Sequence, residues 1–357
     1  KKINSEILLN QKRVLLRKEI LESAQIVAST LSSSGQSLLV DHIVEHNITF
    51  DTVIVDEAGQ STEPATLIPL RYGCRRLVLV GDVRQLPAYV CSKEAEKAGL
   101  GVSLFERLEK AGHEIVMLTV QYRMHPEIRK FPSEEFYSNK LCDAQRITLE
   151  VEKFNSGTLE EGKKPRVVSN LVKVGSQSHL NPVMFFNLTT HEETHGKSFR
   201  NQMECHFVMS FLTYLAPLLK DYSIGIITPY KSQVELIKNE IHNRKHSKVT
   251  SSSTTNSTSS TSSNSNMIDE NTVNNWKDLI IEVNTVDGFQ GKEKDFIILS
   301  TVRTRSLGFL TDLRRLNVAI TRAKKCLILV GNERLLREDK IWKDMFDDLH
   351  KRDCVHQ

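Results

Sequence analysis

Short runs of apolar residues recur along the chain, separated by longer segments that fit helices. The runs are apolar throughout rather than alternating with polar residues, which is typical of parallel strands covered by helices on both faces. The predicted strands are Thr52–Val55, Leu77–Val80, Ile115–Leu118, Val183–Asn187, Ile224–Ile227, Leu279–Val283, Phe296–Ser300 and Cys326–Val330. The predicted helices are Ser103–Lys110, Asn201–Leu219, Ser232–Arg244 and Asp312–Lys325. This order predicts an α/β fold built on a doubly wound parallel sheet.

Length, apolar content and net charge each limit this picture. The 357 residues are enough for two domains at about 100–200 residues per domain. No run approaches the roughly 18 apolar residues that a membrane span needs, so we predict no membrane partner. The net charge of +4 permits a nucleic-acid partner without requiring one.

One segment departs from the strand and helix pattern. Residues Thr250–Asn266 contain only Ser, Thr and Asn. Such a segment has no apolar surface to offset the entropy lost on ordering. We therefore predict a disordered surface insertion at about 246–276, between a helix and the next strand.

Two of the predicted strands end in polar residues. The first continues into Asp56-Glu57 within TVIVDEAGQ, and the second into Gly81-Asp82 and then Gln85 within LVLVGDVRQLP. Ligands of open α/β sheets bind beyond the carboxyl ends of the strands. One carboxylate there suits a metal ion and the next suits a water molecule. The alternative is a solvated acidic pair and an ordinary Gly-Asp turn.

Three further motifs lie in the second half of the pattern. VQYRMHP places Tyr122 and Arg123 after a predicted strand, offering an aromatic face and a guanidinium for phosphate oxygens. TVDGFQGKEK places two glycines before Glu293. In LRRLNVAITRAKK, the spacing of Arg315 and Arg322 predicts one face of a helix. The alternative for this last motif is a solvated basic helix.

The order of these motifs carries more information than any one of them. DEAGQ, GDVRQLP, QYRMHP, TPY, VDGFQGKE and NVAITRAK resemble the ordered motif set of superfamily 1 helicases, in the Upf1-like subgroup. ASTLSSSG, FPSEEFY and GFLTDLRRLNVAITRAK look most like the senataxin branch. The resemblance implies two RecA-like domains, an incomplete first one at 1–119 and a second at 120–357, which clamp ATP between them.

The resemblance also implies roles for the acidic and aromatic residues. Asp56 would coordinate Mg²⁺, and Glu57 would activate the attacking water. Gln85 would contact the γ-phosphate of ATP. Tyr122 would stack on the adenine, and Arg123 would reach the γ-phosphate.

The remaining implied roles fall in the second domain and on three threonines. Gly291 and Glu293 would bind the nucleotide, with Glu293 at the ribose or nucleotide edge. Arg322 would be the arginine finger. The nucleic-acid strand would be faced by Thr30, Thr228 and Thr285.

Substrate and location follow from the resemblance alone. It implies an ATP- and Mg²⁺-dependent helicase or translocase, moving 5′ to 3′ on single-stranded RNA or DNA or on an RNA–DNA hybrid. It implies a nuclear protein, with the cytoplasm as the alternative.

A phosphate-binding loop of the form GxxxxGK[ST] is missing upstream of DEAGQ. A GKS occurs at Gly196–Ser198, but His191 stands where the first glycine belongs, so we interpret it as a polar loop. We therefore expect the chain to be the C-terminal part of a longer helicase core that carries the loop, and to be inactive by itself. A catalytically inactive binding module remains the alternative.

Overall fold

A computed structural model describes residues 2–45, 48–149, 181–216, 219–246 and 276–357. The chain divides into two compact units, Lys1–Val116 and Met117–Gln357. The predicted Ser/Thr/Asn insertion at about 246–276 lies outside the described residues except for its two end positions. Within the described ranges, every helix is too short or too polar to cross a membrane.

The first unit contains a two-stranded parallel sheet flanked by helices. Its strands are β1 (Thr52–Val55) and β2 (Arg76–Leu79). Its helices are α1 (Lys2–Ser23), α2 (Leu31–Ser34), α3 (Ser37–Glu45), α4 (Glu63–Leu67), α5 (Lys93–Lys97) and α6 (Leu104–Lys110). Both strands lie within one residue of their predicted positions. Alternate residues of the sheet remain exposed, among them Ile54 at 68%.

The second unit is built on a six-stranded sheet, in which all strands are parallel, with the order β12-β5-β11-β10-β8-β9. The strands of the unit are β3 (Val120–Gln121), β4 (Cys142–Asp143), β5 (Val183–Asn187), β6 (Glu193–His195), β7 (Ser198–Arg200), β8 (Ser223–Thr228), β9 (Ile280–Thr285), β10 (Lys294–Ser300), β11 (Ala323–Gly331) and β12 (Val355–His356). Its helices are α7 (Pro126–Tyr137), α8 (Gln202–Leu215), α9 (Lys231–His246), α10 (Val286–Phe289), α11 (Leu313–Ile320), α12 (Glu333–Leu336) and α13 (Lys340–Lys351).

Helices cover both faces of the six-stranded sheet. On one face, alternate strand residues such as Ile226 and Ile298 share a core with α8 and α9. On the other face, Phe185 of β5 meets Phe346 of α13 with ring centroids 4.6 Å apart. Most positions of the inner strands β5, β8, β10 and β11 are therefore buried, which explains why these runs are apolar throughout. The predicted α/β class with a doubly wound parallel sheet is confirmed.

The predicted strand Ile115–Leu118 is wrong. The structure has no strand at these positions, and Val116 and Leu118 are largely exposed. The short β3 begins two residues later and pairs with β4. An apolar run becomes a strand only where a neighbouring strand accepts its backbone hydrogen bonds, and within the described ranges this run has none.

The predicted helix Asp312–Lys325 is right in its first part and wrong in its second. Helix α11 ends at Ile320, and Thr321 closes it by donating from Oγ1 to the carbonyl of Asn317 at 2.7 Å. Residues from Ala323 on form β11, which pairs with β10. Arg315 and Arg322 therefore do not lie on one helix face, because Arg322 follows the helix.

A buried polar cluster fixes the chain where β10 ends. The carboxylate of Glu204 on α8 accepts hydrogen bonds from Ser300 Oγ at 2.6 Å and from the backbone N–H of Val302 at 3.0 Å. Val302 has a φ of +70°, which is strained for a β-branched residue. The Glu204 carboxylate therefore helps to hold a strained residue in place.

The free energy of unfolding of the second unit is expected to fall as pH rises towards 7. Burial raises the pKa of Glu204 from 4.5 to about 7. The unfolded chain releases this proton near pH 4.5, whereas the folded chain keeps it up to about pH 7. The stabilisation is therefore complete below pH 4.5 and lost as pH rises through this window, at a cost of up to about 3 kcal/mol.

Urea unfolding measures this dependence through the fluorescence of Trp276 and Trp342. They are the two tryptophans of the chain, and both are buried in the second unit. The variant Glu204→Gln has no titrating group at this position and should lose this part of the pH dependence. Identical pH slopes in the wild-type protein and the variant would contradict the prediction.

Candidate functional site

In the first unit, β1 ends in the acidic pair Asp56-Glu57. Glu57 has a φ of +51°, so the chain leaves the strand abruptly and enters a 3-10 turn at Ala58–Gln60. The backbone N–H of Glu57 donates to Asp56 Oδ1 at 3.0 Å, and Gln60 Nε2 donates to Glu57 Oε2 at 2.7 Å. Both carboxylates are thus oriented by hydrogen bonds, although both remain exposed to solvent.

Two glycines bring the loops after β1 and β2 together. A Cβ atom on Gly81 would lie 2.9 Å from the backbone nitrogen of Gly59, and one on Gly59 would lie 3.1 Å from the carbonyl oxygen of Asp82. The N–H of Ala58 donates to the carbonyl of Val80 at 2.8 Å. The loops therefore pack backbone against backbone, at the carboxyl ends of both strands.

The second of these loops carries the predicted Gln85. Its side-chain nitrogen donates to Asp82 Oδ2 at 3.0 Å, and Asp82 Oδ1 accepts from the backbone N–H of Arg84 at 2.8 Å. Asp82 therefore orients Gln85, a role that the sequence analysis did not assign. The signal was its position three residues before the glutamine.

The donor set of the first unit fits a magnesium ion with a nucleotide. Mg²⁺ prefers carboxylate oxygens together with substrate phosphates and water. Asp56 and Glu57 offer exposed carboxylates at the carboxyl end of a parallel strand, where such ligands bind.

In the second unit, Gln121 shapes the loop that carries Tyr122 and Arg123. Gln121 Oε1 accepts the backbone N–H groups of Arg123 and Met124 at 2.9 and 2.7 Å. The N–H of His125 donates to the carbonyl of Lys324 on β11 at 2.7 Å. Tyr122 is 67% exposed, so its side chain is accessible to a ligand.

The structure joins the predicted residues Arg123 and Glu293. Arg123 Nε donates to Glu293 Oε2 at 2.6 Å, and its Nη1 donates to the carbonyl of Thr321 at 3.2 Å. Lys324 Nζ lies 2.8 Å from Glu293 Oε1. The hydrogen bonds from Arg123 and Lys324 lower the pKa of Glu293 to about 2. Two cations thus surround one carboxylate, and Lys324 is a member that sequence reasoning missed.

Arg322 lies next to this cluster but is only 2% exposed. Its Nε donates to the carbonyl of Val318 at 3.0 Å, and its Nη2 donates to Thr321 Oγ1 at 2.9 Å. Its own carbonyl accepts from the backbone N–H of Lys294 at 3.1 Å.

Gly291 has a φ of +74° and open space around it. It allows the turn that leads the chain to Glu293.

The three predicted threonines have different surroundings. Thr30 and Thr285 each cap a one-turn helix, accepting the N–H of Ser33 at 3.2 Å and of Gly288 at 3.3 Å. Thr228 pairs with Thr285 in the register of β8 and β9, but it is fully buried. In the described parts of the chain, its hydroxyl has no hydrogen-bond partner.

The six-stranded sheet separates two groups of candidate residues. Thr228 and Thr285 lie at the carboxyl ends of β8 and β9. Glu293 and Arg322 lie directly before the amino ends of β10 and β11. Because all these strands are parallel, the two groups lie at opposite edges of the sheet.

The GKS sequence lies in a β-hairpin. Gly196 has a φ of +60° and occupies the turn between β6 and β7, whose residues His195 and Ser198 pair. A two-residue hairpin turn with glycine is a common connection of antiparallel strands. The segment is polar, as interpreted, but its Ser198 already begins β7, which separates the turn from α8.

Comparisons with known proteins give one consistent result. A family described as AAA domain matches residues 100–334, and a second family with the same description matches residues 1–93. "Probable helicase MAGATAMA 3" of Arabidopsis thaliana is 37% identical over 94% of this chain and 36% of its own length. "Helicase sen1" of Schizosaccharomyces pombe is 34% identical over 99% of this chain and 18% of its own length. "Regulator of nonsense transcripts 1 homolog" of Neurospora crassa is 34% identical over 95% of this chain and 27% of its own length. The chain therefore spans little more than a third of these relatives at most.

Proposed function

Because this chain belongs to the family of Upf1-like helicases, whose two AAA domains it matches, we propose that it is part of an ATP-driven motor that moves along single-stranded nucleic acid. The observation that carries the proposal is the oriented carboxylate pair Asp56-Glu57, packed beside the loop of Gln85. Carboxylates and an amide in this position suit phosphoryl transfer from ATP to water.

The residues of the first unit act on the attacking water and the terminal phosphate. Glu57 takes the proton from the water, and its hydrogen bond from Gln60 orients the accepting carboxylate. Gln85, held by Asp82, contacts the γ-phosphate. Asp56 would hold Mg²⁺, which neutralises phosphate charge when it is bound.

The residues of the second unit supply a base platform and positive charge. The exposed ring of Tyr122 stacks on the adenine. Phosphate oxygens compete with Glu293 for Arg123, and Lys324 continues to compensate Glu293 when Arg123 turns to the phosphate. Arg322 acts as the arginine finger, and Glu293 meets the ribose, with Gly291 shaping its approach.

The nucleic-acid strand lies along the edge that carries Thr228 and Thr285, with Thr30 as the contact of the first unit. The similarity to a regulator of nonsense transcripts supports RNA as a substrate. We propose single-stranded RNA or DNA, or an RNA–DNA hybrid, movement from 5′ to 3′, and a nuclear location, with the cytoplasm as the alternative.

One experiment tests this function. ATP hydrolysis by the intact protein is measured with and without a single strand, and unwinding is compared on duplexes with 5′ and 3′ overhangs. Strand-stimulated hydrolysis and unwinding from the 5′ overhang are expected. Strand binding without hydrolysis would instead favour the inactive binding module.

Binding of a single strand is expected to weaken steeply with salt. Each phosphate neutralised by the protein releases counterions, so the dissociation constant should rise about tenfold between 50 and 200 mM salt for every two or three contacted phosphates. Fluorescence anisotropy of a labelled oligonucleotide measures this slope. A flat salt profile would contradict a phosphate-binding edge.

A further inference from the structure

One aromatic ring projects from the second unit into solvent. Phe309 is 57% exposed and lies in a 3-10 turn at Gly308–Thr311. Among the described residues it is the only phenylalanine in the exposed class. A large exposed apolar side chain beside the buried Leu310 suits a ligand that offers an apolar face.

The turn that carries Phe309 is anchored on both sides. A Cβ atom on Gly308 would lie 2.8 Å from Arg303 Nη1 and 2.9 Å from Tyr230 Oη, so the backbone sits directly on these buried side chains. Leu310 is buried, and its carbonyl accepts a hydrogen bond from Trp342 Nε1 at 2.8 Å. The backbone on both sides of Phe309 is therefore fixed. Binding a ligand to the ring would cost little further backbone entropy.

The back of the ring has partners, while much of its remaining surface is exposed. Its centroid lies 6.0 Å from that of Tyr230, with the planes tilted by 42°. The guanidinium of Arg315 lies 5.5 Å from the ring centroid. Arg315 also pairs with Asp287 and Asp312, which compensates the nearby carboxylates. The carboxylates of Asp287 and Asp312 are therefore compensated by Arg315, which reduces their repulsion of the phosphates of a strand.

The ring lies at the edge of the sheet where the strand is proposed to bind. Phe309 lines a small hollow together with Pro229 and Val286. These residues directly follow Thr228 and Thr285, the last residues of β8 and β9. Phe309 is therefore a neighbour of the two threonine positions.

We infer that Phe309 is a stacking platform for one nucleobase of the bound single strand. This inference rests on the proposed function, because it adds a base contact to the same nucleic-acid edge. Every base has an apolar face, so a platform of this kind grips the strand without selecting its sequence. It complements phosphate contacts, which supply affinity through charge.

The test compares Phe309→Ala with wild-type protein on two strands of equal length, one with bases and one made of abasic residues. Anisotropy on the strand with bases should show about tenfold weaker binding by the variant. On the abasic strand the two proteins should bind equally. Phe309→Trp should retain wild-type affinity, and the salt slope should be the same in all three proteins.

Tyr214→Ala is the matched control. Tyr214 is also an exposed aromatic residue of the second unit, but it lies near the opposite end of α8 from Glu204, which contacts the end of β10. Its removal should leave strand binding unchanged. Tryptophan fluorescence confirms that each variant is folded.

The outcomes separate this inference from the proposed function. Equal affinities of Phe309→Ala and wild-type protein on the strand with bases would overturn the stacking platform and leave the motor proposal intact. An equal loss on both strands would also overturn it, because stacking needs a base. Failure of the wild-type protein to bind either strand would overturn the proposed function and the platform with it.

Discussion

The substitution Glu57→Gln in the intact protein is expected to abolish ATP turnover while leaving ATP binding largely intact. The amide keeps the size of the side chain but cannot take a proton from water. General-base catalysis contributes about 10²- to 10⁴-fold to a rate, so kcat should fall by at least this range. Glu57 is exposed, and its left-handed backbone is unaffected by the exchange of carboxylate for amide. Folding should therefore be preserved.

A matched control for this variant is Glu63→Gln. Glu63 lies six residues further on in the same unit and pairs with Arg107 at 2.7 Å. A surface ion pair of this kind contributes at most about 1 kcal/mol, so its loss should not affect turnover. Single-turnover hydrolysis and binding of a fluorescent ATP analogue give the two readouts. Near-normal hydrolysis by Glu57→Gln would refute its role as the base.

The second large effect is expected for Arg322→Ala, which should slow hydrolysis by about 10³-fold or more if this residue is the arginine finger. Because Arg322 is buried, its replacement can change the stability of the second unit as well as the rate of hydrolysis. Removing the side chain deletes its buried hydrogen bonds to the carbonyl of Val318 and to Thr321 Oγ1, so the variant is also expected to lose stability. A reduced rate alone would not separate the two effects.

Arg322→Lys and a stability measurement separate them. The lysine keeps the charge but not the planar fork that grips phosphate oxygens. If Arg322 is the finger, hydrolysis falls in both variants even at temperatures where tryptophan fluorescence shows the second unit to be folded. Arg334→Ala removes an exposed arginine of the same unit and should have a normal rate. Normal turnover in folded Arg322→Ala would rule out the assignment.

The inner strands of the six-stranded sheet were predictable because most of their positions are buried, whereas the short strands β3, β4, β6, β7 and β12 were not predicted. β5 has the predicted bounds Val183–Asn187, since helices cover both of its faces and no polar position interrupts the run. The end of α11 was not predictable. The helical period continues through Thr321–Lys325, but β11 begins at Ala323, which pairs with Lys294 of β10. Such a long-range backbone contact leaves no local pattern.

The candidate site shows the same limit. The motifs supplied Arg123 and Glu293 separately, but their ion pair joins residues 170 positions apart. Lys324 was hidden in a basic run, where its contact with Glu293 could not be distinguished from solvation. Thr228 was selected by its motif, and its burial depends on the packing around the end of β8. The residue types follow from the sequence, and their pairings follow from the fold.

The connection between β9 and β10 has a consequence for positions outside the candidate site. It begins at Thr285 at one edge of the sheet and reaches Glu293 at the other within ten residues, 285–294. At its middle, the ring of Phe289 packs against Gly225 of β8, where a Cβ atom would lie 2.9 Å from the ring. The same Cβ atom would lie 2.6 Å from Ile297 Cδ1, so a side chain added at Gly225 would displace Ile297 or Phe289, and Phe289 belongs to the segment that fixes the spacing of Thr285 and Glu293. Gly225 therefore limits the packing of the segment that links the two proposed binding edges, and it belongs to neither of them.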